Sequence, residues 1–405
     1  MNTVSDFVFD KRKAYSVLWV STLVYFVIYL VWVMFSVIGV PIKKTLNLNG
    51  TEFALLISMP VLIGSCLRIP FGVLVDRFGG RVVMFVALLF TAIPIWLISC
   101  ATLYWEFLVL DLFTGVLGGL YSVGIPYVTH WFPKNRQGLA MNVYGAGSLG
   151  ATLNSIIAPL LIVAFGWTIV PQIYAYIVVI VALIFWVFSY QDEAHIVSKS
   201  VPFIEQIKAF KEPDVLRLCF YYAIAFGGFM ALSLWMAQYY MNEFDLTLKH
   251  AALLVVCFTL PSSILRILGG WVADKYGGRI ITTWMLRISC ICLLLLLCFS
   301  MMKLNFYIFT IAMFIQGTIW AFGKASIFKC ISEDYIKRIG VVSGIISAVG
   351  GVFGLIWVIF FGILLDLTGV YSSAFMLLLL VNCLALILEN ATPKNNPATV
   401  PPSTH

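Results

Sequence analysis

Residues 67–83 read LRIPFGVLVDRFGGRVV, and residues 265–281 read LRILGGWVADKYGGRII. The two stretches begin 198 residues apart and agree at eight of seventeen positions. Each opens as apolar helix, carries one arginine within it (Arg68, Arg266), and breaks into an acid–base turn with paired glycines. A segment written twice at half-chain spacing marks an internal duplication. The arginines pose the functional question, because a strongly hydrated charge sits in each otherwise lipid-compatible helix.

The surroundings of both copies are apolar throughout. The 405-residue chain is 62% hydrophobic and 11% charged, whereas soluble domains carry about 25% charged residues. Runs long enough to cross a hydrocarbon core, about 20 residues each, number twelve: roughly 15–40, 53–75, 82–103, 107–131, 139–164, 167–190, 216–241, 250–273, 280–302, 305–331, 341–365 and 370–390. The polar N-terminus is followed by an apolar run too long for a signal peptide, so the first span is expected to be retained. The sizeable polar link falls after the sixth run. The expected organisation is therefore all-α and polytopic: a six-helix bundle over 1–190, a cytoplasmic linker over 191–215, a second six-helix bundle over 216–390 and a tail over 391–405.

Lysine and arginine set the orientation. Placing the N-terminus inside leaves only Lys43, Lys44, Lys249 and Lys303 on the outer side, against seventeen on the inner side. Both termini are thus expected in the cytoplasm of a cell, with the chain in its membrane. The net charge of +7 belongs to these inner loops near anionic lipid and gives no reason to expect nucleic acid. Four scattered histidines and nine cysteines without a C-x-x-C pair leave no metal, disulfide or cofactor motif, and no clustered catalytic groups of an enzyme.

A parallel repeat of six spans is the plan of major facilitator transporters, and the turns VDRFGGR and ADKYGGR resemble that superfamily's signature after its second helix. Gly72, Asp76, Arg77, Gly79, Gly80 and Arg81 carry the first copy. Gly269 or Gly270, Asp274, Lys275, Gly277, Gly278 and Arg279 carry the second. The glycines turn the chain sharply, and the charges can tie neighbouring helix ends until the halves rock.

Arg68 precedes Asp76 by eight residues, as Arg266 precedes Asp274. At 1.5 Å per residue each lies about 12 Å in from the turn, near mid-membrane. An arginine there costs at least ~2.5–3.5 kcal/mol on insertion scales. Snorkelling or a structural pairing would each accommodate it. The symmetry favours a third reading: both cations face one cavity, and an anion stands between them. No acidic residue in the runs is placed to serve, since Asp111 falls about one turn inside the outer edge and Glu389 near the inner end. A planar guanidinium fork suits a planar oxyanion.

With these residues in hand, the chain resembles the nitrate/nitrite porter family of that superfamily over essentially all twelve spans. The resemblance implies that Arg68 and Arg266 clamp the substrate, and that Tyr121, Tyr222 and Phe226 line its pocket. It also implies two glycine-rich moving helices, through GAGSLG (Gly145, Gly147, Ser148, Gly150) and SAVGGVFG (Gly350, Gly351, Gly354). Ser148 stands where the family has asparagine. Lys324, which internal symmetry pairs with Tyr121, adds a third cation to the expected pocket. Both departures point to an anion larger or more charged than nitrate, such as a carboxylate. The expected function is secondary transport of a small anion by one membrane-embedded chain, in a bacterial inner membrane. The lack of a mid-membrane carboxylate leans toward exchange over proton symport, although the tyrosines and Lys324 leave symport open.

Overall fold

The computed structural model describes residues 10–133, 137–191, 212–335 and 339–391, almost entirely as helix. Most of the expected linker, the tail, Lys134, Arg136 and the side chains of Gly72 and Asp76 lie outside the described residues. Eleven helices are long and apolar enough to cross a membrane. We number the spans α1 (Lys11–Leu46), α3 (Gly80–Cys100), α4 (Tyr104–His130), α6 (Ile169–Phe188), α7 (Pro213–Glu243), α8 (Leu248–Tyr276), α9 (Gly278–Met301), α10 (Phe306–Asp334), α11 (Ile339–Thr368) and α12 (Ser373–Ala391). Helix α5 is Gln137–Gly145 and Gly150–Phe165 joined by a 3-10 turn, Ala146–Leu149.

The twelfth span, α2, is made of Gly50–Cys66 and Arg68–Phe78 with Leu67 between them. Pro70 explains the break: it has no N–H to give the carbonyl four residues back, at Cys66. The repeat has Leu268 at that place, and α8 runs unbroken. The paired glycines divide two tasks. Gly79 and Gly277 take φ of +77° and +90°, a region that strains any other residue. A methyl on Gly80 would come within 2.6 Å of Tyr127 on α4, and one on Gly278 within 2.7 Å of the Cys330 backbone on α10. The first glycine makes the turn, and the second lets the next helix close on its neighbour.

Helices α1 and α7 form the centre, with 89% and 83% of their apolar windows buried, whereas α9 and α12 bury 39% and 33%. The outer helices present residues such as Ile180, Trp271, Ile291 and Ile387 outward, as a lipid-facing surface requires. Several starts differ from the sequence expectation, α7 and α4 among them. Pro213 at the first helical turn begins α7 three residues earlier than expected. Helix α4 begins at Tyr104, so Asp111 is fully buried and lies about two turns in, deeper than its place in the apolar run suggested.

Candidate functional site

The two repeated arginines converge on one aromatic wall. Arg68 is 5% exposed; its guanidinium carbon stands 5.4 Å from the ring centre of Tyr121 and 6.0 Å from that of Phe226. Its Nη1 donates to the carbonyl of Ser347 on α11. Arg266 lies 5.6 Å over Phe328, with Tyr121 in electrostatic range. Tyr121 therefore meets the first arginine with its ring and lies in electrostatic range of the second. Tyr29 and Tyr222 are each in electrostatic range of both. Among the described residues no carboxylate lies within 4 Å of either arginine.

Orphan donors cluster at the same depth. The Arg68 Nε, Ser65 Oγ and Ser263 Oγ are buried and have no hydrogen-bond partner among the described residues. Each serine sits three residues before its arginine, so the repeat is S-x-L-R in both halves; three residues back is the adjacent site on a helix. Sequence reasoning stopped at Leu67 and Leu265 and missed this pair. A pocket at the α5–α8 seam is lined by Met141, Gly145, Ala146, Ser263, Arg266 and Ile267.

The aromatic positions come together in two groups. Tyr121 stacks with Tyr144 at 6.2 Å and meets the tilted ring of Tyr25 at 5.3 Å. Tyr222 and Phe226 stack at 5.2 Å and 11°, and Phe328 meets Tyr222 edge-on. Their spacing is set by a π-turn over Ala223–Gly227. The Ala223 carbonyl accepts the Gly228 N–H within this turn and also the Trp357 indole N–H of α11 at 3.0 Å. Gly227 then packs on Gly350 and Gly354, and Gly350 on the Tyr222 and Phe226 rings. Gly351 lies against Ser65 and 3.9 Å, measured from a methyl built on it, from Arg68.

In α5, Gly147 and Gly150 press on the α1 backbone at Thr22 and Phe26, while Gly145 faces open space at the pocket. Ser148 is half-buried on the 3-10 turn, beyond the Gly145 and Ala146 that line the pocket. Lys324 is 4% exposed; its Nζ donates to Ser262 at 2.8 Å and sits 3.7 Å over the Phe229 ring. A fourth intramembrane cation, Arg287, lies exposed on α9 and takes no part in this cluster.

The turn charges bind helix ends within each half. Arg81 donates to the Trp186 carbonyl at 2.6 Å and stacks on that indole. Arg279 pairs with Asp334 at 3.0 Å, and Asp274 with Lys329 at 2.8 Å. Arg77 lies exposed beside the Phe78 ring.

Ties between halves lie elsewhere. We call the end bearing Lys11 and Ala391 proximal, and the other distal. Among the described residues, side-chain hydrogen bonds between halves occur at mid-depth, Arg68–Ser347 and Thr152–Thr259, and at the distal end. There Asp366 of α11 accepts the backbone N–H of Gly50 and of Thr51, both at 2.7 Å, and the Thr51 hydroxyl. Asn49 and Glu52 complete the same helix start with a capping box. Asp366 was not legible as a site, because a lone acid at a helix end reads as an exposed terminus.

Comparison with known proteins fits this architecture. The Major Facilitator Superfamily pattern matches residues 21–358 and again 218–402. The probable nitrate/nitrite antiporter NarK1 of Thermus thermophilus is 32% identical over 95% of this chain and 92% of its own length. The chain belongs to the major facilitator superfamily, among its nitrate/nitrite porters. The nitrite extrusion protein of Bacillus subtilis is 29% identical over 86% of this chain and 87% of its own. The probable nitrate transporter NarT of Staphylococcus carnosus is 27% identical, over 96% and 98%. The crystal structure of a bacterial homolog of the human lysosomal transporter Spinster, inward-facing and occupied, superposes with a TM-score of 0.71 over 94% of this chain and 96% of its own, at 15% identity. That likeness supports the twelve-helix fold.

Proposed function

We propose that this porter carries nitrate and nitrite across a bacterial inner membrane by alternating access, around an anion site between Arg68 and Arg266. The observation that carries the reading is Tyr121, whose ring stands 5.4 Å from the Arg68 guanidinium and which lies in electrostatic range of Arg266, with no carboxylate within 4 Å of either among the described residues. Arg68 is buried and Arg266 half-buried, and two guanidiniums partly withdrawn from water repel unless a negative charge lies between them. The names of the relatives supply the identity of the anion. Arg68 Nε, Ser65 and Ser263 offer donors for its oxygens, and Tyr222 and Phe226 flank its plane. The bundles over 1–190 and 216–390 rock about this site, with the glycine faces of α5 and α11 as sliding surfaces.

The excess of lysine and arginine at the proximal end supports a cytoplasmic side for that end. The Asp366 contact then closes the outer side. One chain in a lipid bilayer holds the whole site, and the chemistry is carriage without bond making. The test is flux into proteoliposomes with nitrate, nitrite, phosphate and small carboxylates. Nitrate and nitrite move, and Arg68→Lys or Arg266→Lys abolishes that flux by removing the two-point fork. Movement of carboxylates alone, which Lys324 could favour, overturns the assignment.

A further inference from the structure

Lys324 is the buried charge that the clamp does not use. Its ammonium has three N–H donors, one satisfied by Ser262, and its charge meets only the Phe229 ring face. The elements packed around it bring one further cation, Arg266 of α8. Helix α7 brings Phe229 and, through Phe328 one turn along α10, Tyr222. Helix α9 brings Met285, against Gly323, and α11 brings Gly350, against Tyr222. Among the described residues no carboxylate lies within 4 Å of Lys324.

An anion entering between the arginines changes this balance. It supplies the negative charge that an ammonium beside a guanidinium lacks, and oxygens for its two open donors. Whatever factor the lysine proton adds to anion affinity, the anion adds to proton affinity, because the coupling is reciprocal. Such couplings are typically 5–150-fold.

We propose that Lys324 is the proton-linked group of this carrier, so that proton and anion occupy the site together. This rests on the anion reading given above. The Nζ lone pair takes the proton from water on the side where the anion enters, forming the N–H bond. That bond breaks to water on the side where the anion leaves. In one-way uptake the proton travels with the anion. In exchange it rides both ways and leaves no net proton movement. A carboxylate is the usual group sought for such a role, and this lysine supplies the proton site from the opposite charge type.

The experiment is calorimetric titration of the purified full chain with nitrate, in buffers of different ionisation enthalpy, which counts protons taken up per anion bound. The series is repeated across pH for wild type, K324R and K324Q. Arginine keeps the charge but does not release a proton, and glutamine keeps neither. Wild type takes up protons on binding nitrate, and its affinity falls as pH rises. K324R binds nitrate without proton uptake and with a flat pH profile. K324Q binds about 5–150-fold more weakly, also with a flat profile, and carries the test alone if K324R does not fold. Nitrate bound by wild type without protons, or an unchanged pH profile in K324R and K324Q, overturns the lysine assignment and leaves the clamp standing. Failure of wild type to bind or carry nitrate overturns the anion reading, and this inference with it.

Discussion

Replacing Asp366 by alanine tests the distal closure. Helix α2 begins with backbone N–H groups that no helical carbonyl can reach. Asn49 takes that of Glu52 from within the same half, but Gly50 and Thr51 give theirs to Asp366 from the other half. D366A therefore removes a helix cap that exists only while the distal end is shut. Loss of a capping side chain costs about 0.5–2 kcal/mol, and loss of an anion at a helix N-terminus about 0.3–1 kcal/mol more. The carboxylate is exposed, and solvent screening reduces the second part. A net of about 1–2 kcal/mol remains, which moves the open-to-closed ratio about 5–30-fold toward distal opening. D366N keeps one acceptor oxygen but loses the charge and the second acceptor, so its shift falls between wild type and D366A. The measurement is electron–electron distance spectroscopy between spin labels at Lys44 and Lys249, both exposed near the distal end, in a background with the nine cysteines replaced. A longer-distance population should grow in the order wild type, D366N, D366A. Identical distance distributions in all three refute the claim that this cap holds the halves together.

Three further outcomes follow from the packing and the orphan donors. Gly150→Ala sets a methyl against the Phe26 carbonyl and within 2.8 Å of the Leu30 nitrogen. It should destabilise the fold by about 1–3 kcal/mol, whereas Gly145→Ala, with open space beside it, should leave the thermal midpoint unchanged. Gly277→Ala also meets open space but must hold φ near +90°. It should lower stability by about 1–2 kcal/mol, while Gly270→Ala, in helical backbone with open space, should not. Ser65→Ala and Ser263→Ala each remove an orphan donor beside an arginine. Each should raise the apparent KM for nitrate about tenfold with little change in melting temperature, and an unchanged KM would mean that the hydroxyls serve only packing.

The repeat, the span count and the aromatic lining were readable because each rests on pattern: a 198-residue echo, runs of about 20 apolar residues, and rings at helical spacing. Relations between helices left weaker traces. The π-turn of α7 has no signature in YYAIAFGGF, because Trp357, whose indole N–H its Ala223 carbonyl accepts, lies 134 residues away. The Tyr25, Tyr29 and Tyr144 wall around Tyr121 was hidden for the same reason. Tyrosine on a mostly apolar helix reads as core until the neighbouring helices are placed. Ser65 and Ser263 are a different case. They were visible as an extension of the echo, but a serine in a membrane helix bonds so often to its own backbone that its freedom shows only in three dimensions. The turn glycines had been assigned one task, and the backbone shows two.

The placement of charge also bears on what limits the transport cycle. At the proximal end, Arg81, Arg279 and Asp274 bind helix ends inside their own halves, so rocking need not break these contacts. At the distal end Asp366 crosses between halves, so distal opening must break one polar cap. At mid-depth no described acid lies within 4 Å of the cations. Closing the pocket strips water from Arg68 and Arg266 together, and charge buried without a counter-ion costs several kcal/mol per ion. An empty site therefore resists closure far more than a loaded one, because the anion supplies the missing charge. Cap breakage is a fixed cost of either return path, loaded or empty, whereas desolvation separates the two. Occupancy of the arginine pair, more than the strength of the distal cap, then decides whether the halves can exchange sides, and a return step loaded with a second anion is the faster route.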